Sequence, residues 1–102
     1  MKIDIKGSKY GIQFTRNFEK DLKRISKQGK NLDKLIYVIK KLANGEKLDN
    51  KYRNHNLIRD KYYKDCQECH IESDWLLIYK YNNDNLILVL VNTGSRSILF
   101  NK

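Results

Sequence analysis

His55, His70, Cys66 and Cys69 are the residues of this chain whose types and spacing first suggest chemistry. Cys66-Gln67-Glu68-Cys69-His70 has the C-x-x-C-H spacing of a covalent haem attachment site, and its first half is that of a redox or zinc pair. Geometry argues against all three. Side chains alternate along a strand, so if residues 65–71 are extended, Cys66 and Cys69 point to opposite faces. They cannot then converge on one haem, one metal or each other without a bulge, and no Gly or Pro is present to build a turn. Zinc needs two more ligands, which only His55 and His70 could supply. The cysteines read as small strand residues, and neither a metal nor a cofactor is expected.

The same alternation places Glu68, His70 and Glu72 on one face, with Cys69 and Ile71 on the other. A lone strand histidine is usually a surface or hydrogen-bonded residue. Here, however, the only two histidines lie near a cationic loop, Tyr52-Arg53-Asn54-His55-Asn56-Leu57, and near the pair Asp74-Trp75.

Elements able to position these residues follow from periodicity. Tyr10–Phe14 reads as a first strand, and Thr15 as the cap of a helix carrying Phe18, Leu22 and Ile25 on one stripe. Gly29 stops that helix. Asn31 caps a second, with Leu32, Leu35, Ile36, Ile39 and Leu42 at three- and four-residue spacing and Asn44-Gly45 as its end. Residues 46–61 show no periodicity and form the longest irregular segment, of a kind that is often functional. Three strand-like runs follow, at 65–71, 75–81 and 86–91, the last two joined by the turn Asn82-Asn83-Asp84-Asn85. The tail from Thr93 to Phe100 reads as a turn and a short helical or irregular end. The fold class expected is α+β, in the order β-α-α-β-β-β, with a two-helix hairpin on a mainly antiparallel four-stranded sheet.

One domain spanning residues 1–102 accounts for the 102-residue chain. Its longest apolar run, Leu86–Val91, is far too short to span a membrane. The beginning, MKIDIKGSKY, has no apolar core of a secretory leader, so with two cysteines a reducing cytoplasmic setting is expected. The formal net charge is +9, and it is concentrated: residues 1–64 hold 18 Lys and Arg against 7 Asp and Glu. Such a field suits a polyanion or an acidic protein, although a solvated lysine-rich surface would show the same excess.

Three blocks, YRNHNL (52–57), DCQECHIESDWLLIYKY (65–81) and LVNTGSRSILF (90–100), resemble the YafQ branch of the RelE/ParE toxins, the toxin halves of bacterial type II toxin–antitoxin pairs. The middle block, with H-I-x-x-D-W-L-L-I-Y, is the most specific. The resemblance implies a RelE-like fold and a metal-independent, ribosome-dependent mRNA endonuclease that inhibits translation. It also implies silencing by an acidic cognate antitoxin, through which operator DNA can be bound. The motif positions it carries over are His55, His70, Asp74-Trp75 and Phe100. The family's arginine before Thr-Gly is Asn92 here, its histidine after Gly-[ST] is Arg96, and two family prolines are Asn56 and Ser73.

In that reading the RNA's own 2′-OH attacks the adjacent phosphorus. His55 and His70 serve as acid and base in an order left open, since histidine offers both forms near neutrality. Asp74 orients or charges one of them, and Arg96 clamps the phosphate. Arg53 and Asn92 are further substrate contacts. Trp75 either packs in the core or stacks a base, and Phe100 either orders the tail or stacks on RNA. The rival class is a non-catalytic or attenuated protein of the same fold, acting by binding an antitoxin or, as ParE-type chains do, gyrase. The paired histidines argue against the gyrase version.

Overall fold

Both long helices begin at a side-chain cap. In the computed structural model, which describes residues 7–100, Thr15 Oγ1 accepts the Phe18 amide at 3.0 Å and donates to the Val91 carbonyl at 2.6 Å. One hydroxyl therefore opens helix α1 (Arg16–Lys27) and ties it to the sheet. Gly29, at φ +77°, ends it in the left-handed region that glycine takes without Cβ crowding. Asn31 Oδ1 then accepts the Asp33 amide to start α2 (Leu32–Ala43). The apolar stripes face inward: Phe18 and Ile25 on α1, and Leu35, Val38 and Ile39 on α2, are almost fully buried. The leader expectation rests partly on Met1–Lys6, and the domain expectation extends over these residues and 101–102; both stretches lie outside the described residues.

Five strands form one sheet in the order β1-β5-β4-β3-β2: β1 (Gly11–Phe14), β2 (His55–Asn56), β3 (Gln67–Glu72), β4 (Trp75–Asn82) and β5 (Ile87–Gly94). β1 runs parallel to β5, and the other pairs are antiparallel. The expected α+β class and mainly antiparallel sheet are present, with five strands instead of four. The additional strand, β2, is two residues inside the stretch read as irregular, preceded by a 3-10 turn at Asn50–Tyr52. A two-residue strand carries no period for the sequence to display. The tail folds into a short helix, α3 (Arg96–Phe100). No helix among the described residues is long and apolar enough to cross a membrane.

Strand alternation divides the sheet into two faces. Trp75, Leu77, Tyr79, Leu88 and Leu90 join the helices in the main core. Leu76 and Ile78 point the other way, into a smaller cluster with Tyr63, Cys66 and Leu99. The seam between α1 and β5 is polar and buried. Asp21 Oδ2 accepts Asn92 Nδ2 at 2.7 Å and the Thr93 amide at 3.0 Å, while its Oδ1 pairs with Arg24 Nη1 at 2.8 Å. Arg24 Nη2 donates to the Thr93 carbonyl at 2.9 Å. Gly94 follows at φ +154°, a backbone conformation that favours glycine, and a Cβ there would also press against the Arg24 guanidinium.

Candidate active site

β2 lies against β3 with His55 opposite Glu68, and β4 pairs Ile78 with Glu68 and Leu76 with His70. Directly paired residues share a face, so His55, Glu68 and His70 all belong to the side of the sheet away from α1 and α2. His70 is diagonal to His55, a placement that separates such positions by roughly 7–8 Å. The turn after β5 brings Arg96 to the same carboxylate.

Glu68 is fully buried and contacted by both His55 and Arg96. His55 Nε2 lies 2.8 Å from Oε2, and Arg96 Nη2 donates to Oε1 at 2.9 Å and to Oε2 at 3.0 Å. His55 Nδ1 faces the Arg53 carbonyl at 3.0 Å. A carbonyl and a carboxylate both accept, so only the doubly protonated ring makes both contacts at once. Arg53 adopts φ +49°, and this left-handed turn aims its carbonyl at the ring. The residue before His55 is fixed as well: Asn54 Oδ1 accepts the Tyr79 hydroxyl at 2.5 Å, and Asn54 Nδ2 donates to Gln67 Oε1 at 2.9 Å.

His70 is placed differently. Its Nδ1 is buried and meets no hydrogen-bond partner, and the ring borders an open groove of about 610 Å³ shared with Arg53 and Ser73. Either ring nitrogen can carry the proton of neutral His70, and the tautomer protonated at Nδ1 leaves Nε2 free to accept one.

Several residues singled out from the sequence take other positions. Asp74 touches neither histidine in any contact seen; its Oδ1 accepts the Arg96 amide at 3.2 Å and so holds the start of α3. Trp75 lies in the main core, with its indole N–H donating to Thr93 Oγ1 at 2.9 Å, and it offers no open ring face for a base. Asn92 is buried, with its Nδ2 donating to Asp21 at 2.7 Å. Phe100 is half-buried, edge-on to Tyr63 and beneath the Arg96 guanidinium at 5.0 Å, an arrangement that props the cation. Tyr63 anchors the tail by donating to the Leu99 carbonyl at 2.9 Å, and burial pushes its hydroxyl up to about 12. Sequence reasoning passed over Glu68 and Tyr63 as site residues. The signal for Glu68 was available: a carboxylate two residues before His70 on one strand face must find a cation or remain in water.

The cysteines fall into different clusters, Cys69 in the main core and Cys66 on the opposite face. Both are free thiols raised by burial, Cys69 to about 12. A raised pKa keeps the thiol protonated below it, so neither should react with a thiol reagent at pH 8 until the protein is unfolded. Labelling of native protein within minutes would contradict the buried placement.

Comparison with known proteins settles the family. Residues 10–101 match the family described as "Bacterial toxin of type II toxin-antitoxin system, YafQ". The chain belongs to the YafQ family. The mRNA interferase toxin YafQ of Escherichia coli (strain B / BL21-DE3) is 33% identical over 90 residues, covering 87% of this chain and 94% of that protein. Among solved structures, a metal-bound toxin from Helicobacter pylori is 38% identical, with a TM-score of 0.83 over 89% of this chain and 99% of its own. The Escherichia coli DinJ–YafQ complex matches at 33% identity and TM-score 0.79, covering 89% and 98%. Of the four positions where this chain departs from the YafQ pattern, two make side-chain contacts that shape the site: Asn92 serves the buried seam with α1, and Arg96 serves Glu68.

Proposed function

We propose that this YafQ-family chain is the toxin of a type II pair and an endoribonuclease, cutting mRNA on the ribosome in the cytoplasm. The observation that carries this reading is the pairing of His55 and Arg96 on one buried carboxylate, Glu68, with His70 two residues on along the same strand face. In the reaction the 2′-oxygen bonds to phosphorus and the bond from phosphorus to the 5′-oxygen breaks, leaving a 2′,3′-cyclic phosphate and a 5′-hydroxyl. His70, in the tautomer that carries its proton on Nδ1, takes the 2′-OH proton through Nε2. His55 supplies the proton for the leaving 5′-oxygen. Both its nitrogens are engaged at rest, so Nε2 must turn from Glu68 to the RNA. The half-exposed ring has room for that, and Arg96 keeps Glu68 satisfied meanwhile. Arg96 engages Glu68 through Nη2 and directs its remaining donors to the phosphorane oxygens. Its position is held by Asp74 on its amide and Phe100 beneath its plane.

The chain's positive charge suits RNA and an acidic cognate antitoxin alike, and the DinJ–YafQ complexes support the latter partner. Operator DNA is bound through the antitoxin. With ribosomes and a translated mRNA, the purified protein should cleave, and His70→Ala should lower the rate at least about 10²-fold. Intact mRNA after incubation with the unmodified protein would sink the nuclease reading.

A further inference from the structure

Beyond Glu68, β3 is flanked by the 3-10 turn at Asn50–Tyr52, because β2 pairs only with Gln67 and Glu68. The 610 Å³ groove opens there, running from His70 round the sheet edge to α2. Its walls alternate cations and aromatic rings: Lys34 and Tyr37 from α2, then Lys51, Tyr52 and Arg53 from the turn. Lys34, Tyr37 and Lys41 are three and four residues apart, which places them on one face of α2. Lys41 Nζ sits 5.5 Å from the Tyr37 ring centre, and Lys51 Nζ 5.2 Å from that of Tyr52. Tyr37 is 52% exposed, a large outlay of aromatic surface for a helix that is otherwise well packed.

Two carboxylates share the groove. Glu72 is already taken up by Lys34 at 2.8 Å and Lys30 at 3.9 Å, and Lys34 holds its carboxyl below the usual range. Asp33 is the other. Lys41, Lys51 and Arg53 make no ion pair within 4 Å among the described residues, so their charge is available to an incoming anion.

We infer that this groove binds single-stranded RNA flanking the scissile phosphate, with Tyr37 and Tyr52 as base-stacking platforms and Lys41, Lys51 and Arg53 on the backbone. One exposed ring, Tyr37, and one half-buried ring, Tyr52, interleaved with cations suit a strand whose bases are splayed and whose phosphates recur, and they do so without reading sequence. Continuity with His70 gives the strand a path away from the proposed cleavage site. This inference rests on the RNA reading above and extends it to a second surface.

The test uses binding without cleavage. A short, fully 2′-O-methylated RNA oligonucleotide has no attacking 2′-OH, and its affinity is read by fluorescence anisotropy across a salt series. Tyr37→Ala should weaken binding about tenfold with an unchanged salt slope, and Tyr37→Phe, which keeps the ring, should restore it. Lys41→Ala should weaken binding and flatten the log–log salt slope by about 0.7, the signature of one lost phosphate contact on a single strand. Lys23→Ala, an equal charge change on the exposed side of α1, should leave the slope unaltered. Tyr37→Ala and Lys41→Ala binding like the unmodified protein would overturn the inference. So would loss of affinity for an acidic antitoxin with RNA affinity intact, which would assign the groove to that protein. Absence of ribosomal cleavage alongside the expected binding losses would remove the nuclease reading and leave the groove in place.

Discussion

Glu68→Gln is expected to lower ribosome-dependent mRNA cleavage on the order of 10²-fold, although no residue that touches RNA has been changed. The carboxylate is fully buried and faces His55 and Arg96 at once. An amide of the same shape loses the negative charge and keeps a single acceptor oxygen, so His55 and Arg96 can no longer both be held as they are by the carboxylate. Acid and clamp fail together, so single-turnover cleavage should fall while far-UV circular dichroism stays native. Unchanged cleavage by Glu68→Gln would show that neither cation depends on it.

Asp21→Ala should be the most destabilising exposed-to-buried contrast on α1, at about 3 kcal/mol. Removing this carboxylate leaves Asn92 Nδ2, the Thr93 amide and Arg24 Nη1 without their acceptor in a buried seam. For a domain of this size that corresponds to a fall in Tm of roughly 12–24 °C, read by thermal melting. Because Thr93 and Gly94 lead directly into Arg96, Asp21→Asn should retain more stability than Asp21→Ala yet still reduce cleavage below the melting range. A Tm unchanged by Asp21→Ala would remove the seam from the account.

Local signals in the sequence were sufficient for the helices. Thr15 and Asn31 cap them as their positions required, and the stripes through Phe18–Ile25 and Leu35–Leu42 are buried. The face assignment of Glu68 and His70 follows from alternation alone, but Glu72, expected on the same face, crosses to the helix side after the register shift between His70 and Glu72 and pairs with Lys34. What stayed hidden was set by distant partners. β5 reads as ending near Val91 because Asn92 and Thr93 are polar, yet it continues to Gly94, since Asp21, some seventy residues away, accepts from both. Asn92 therefore looked like a substrate contact when it is part of the fold. Trp75 was open between core and stacking from its strand position, and its bond to Thr93 places it in the core. Arg96 meeting Glu68, and Asp74 holding Arg96 instead of a histidine, depend on turns whose geometry no period encodes.

The most direct test of the central claim is the chemistry of the cut ends. A ribosome-bound mRNA in magnesium buffer, incubated with protein first stripped of bound metal by EDTA and desalted, should yield fragments ending in a 2′,3′-cyclic phosphate and beginning with a 5′-hydroxyl. A single 2′-deoxy substitution at the cleaved nucleotide should block the cut. The chelator is informative because a metal-bound toxin is among the structural relatives. Activity lost on stripping the protein and restored only by a transition metal, or cleavage at the 2′-deoxy position leaving a 5′-phosphate, would contradict 2′-OH attack by the histidine pair.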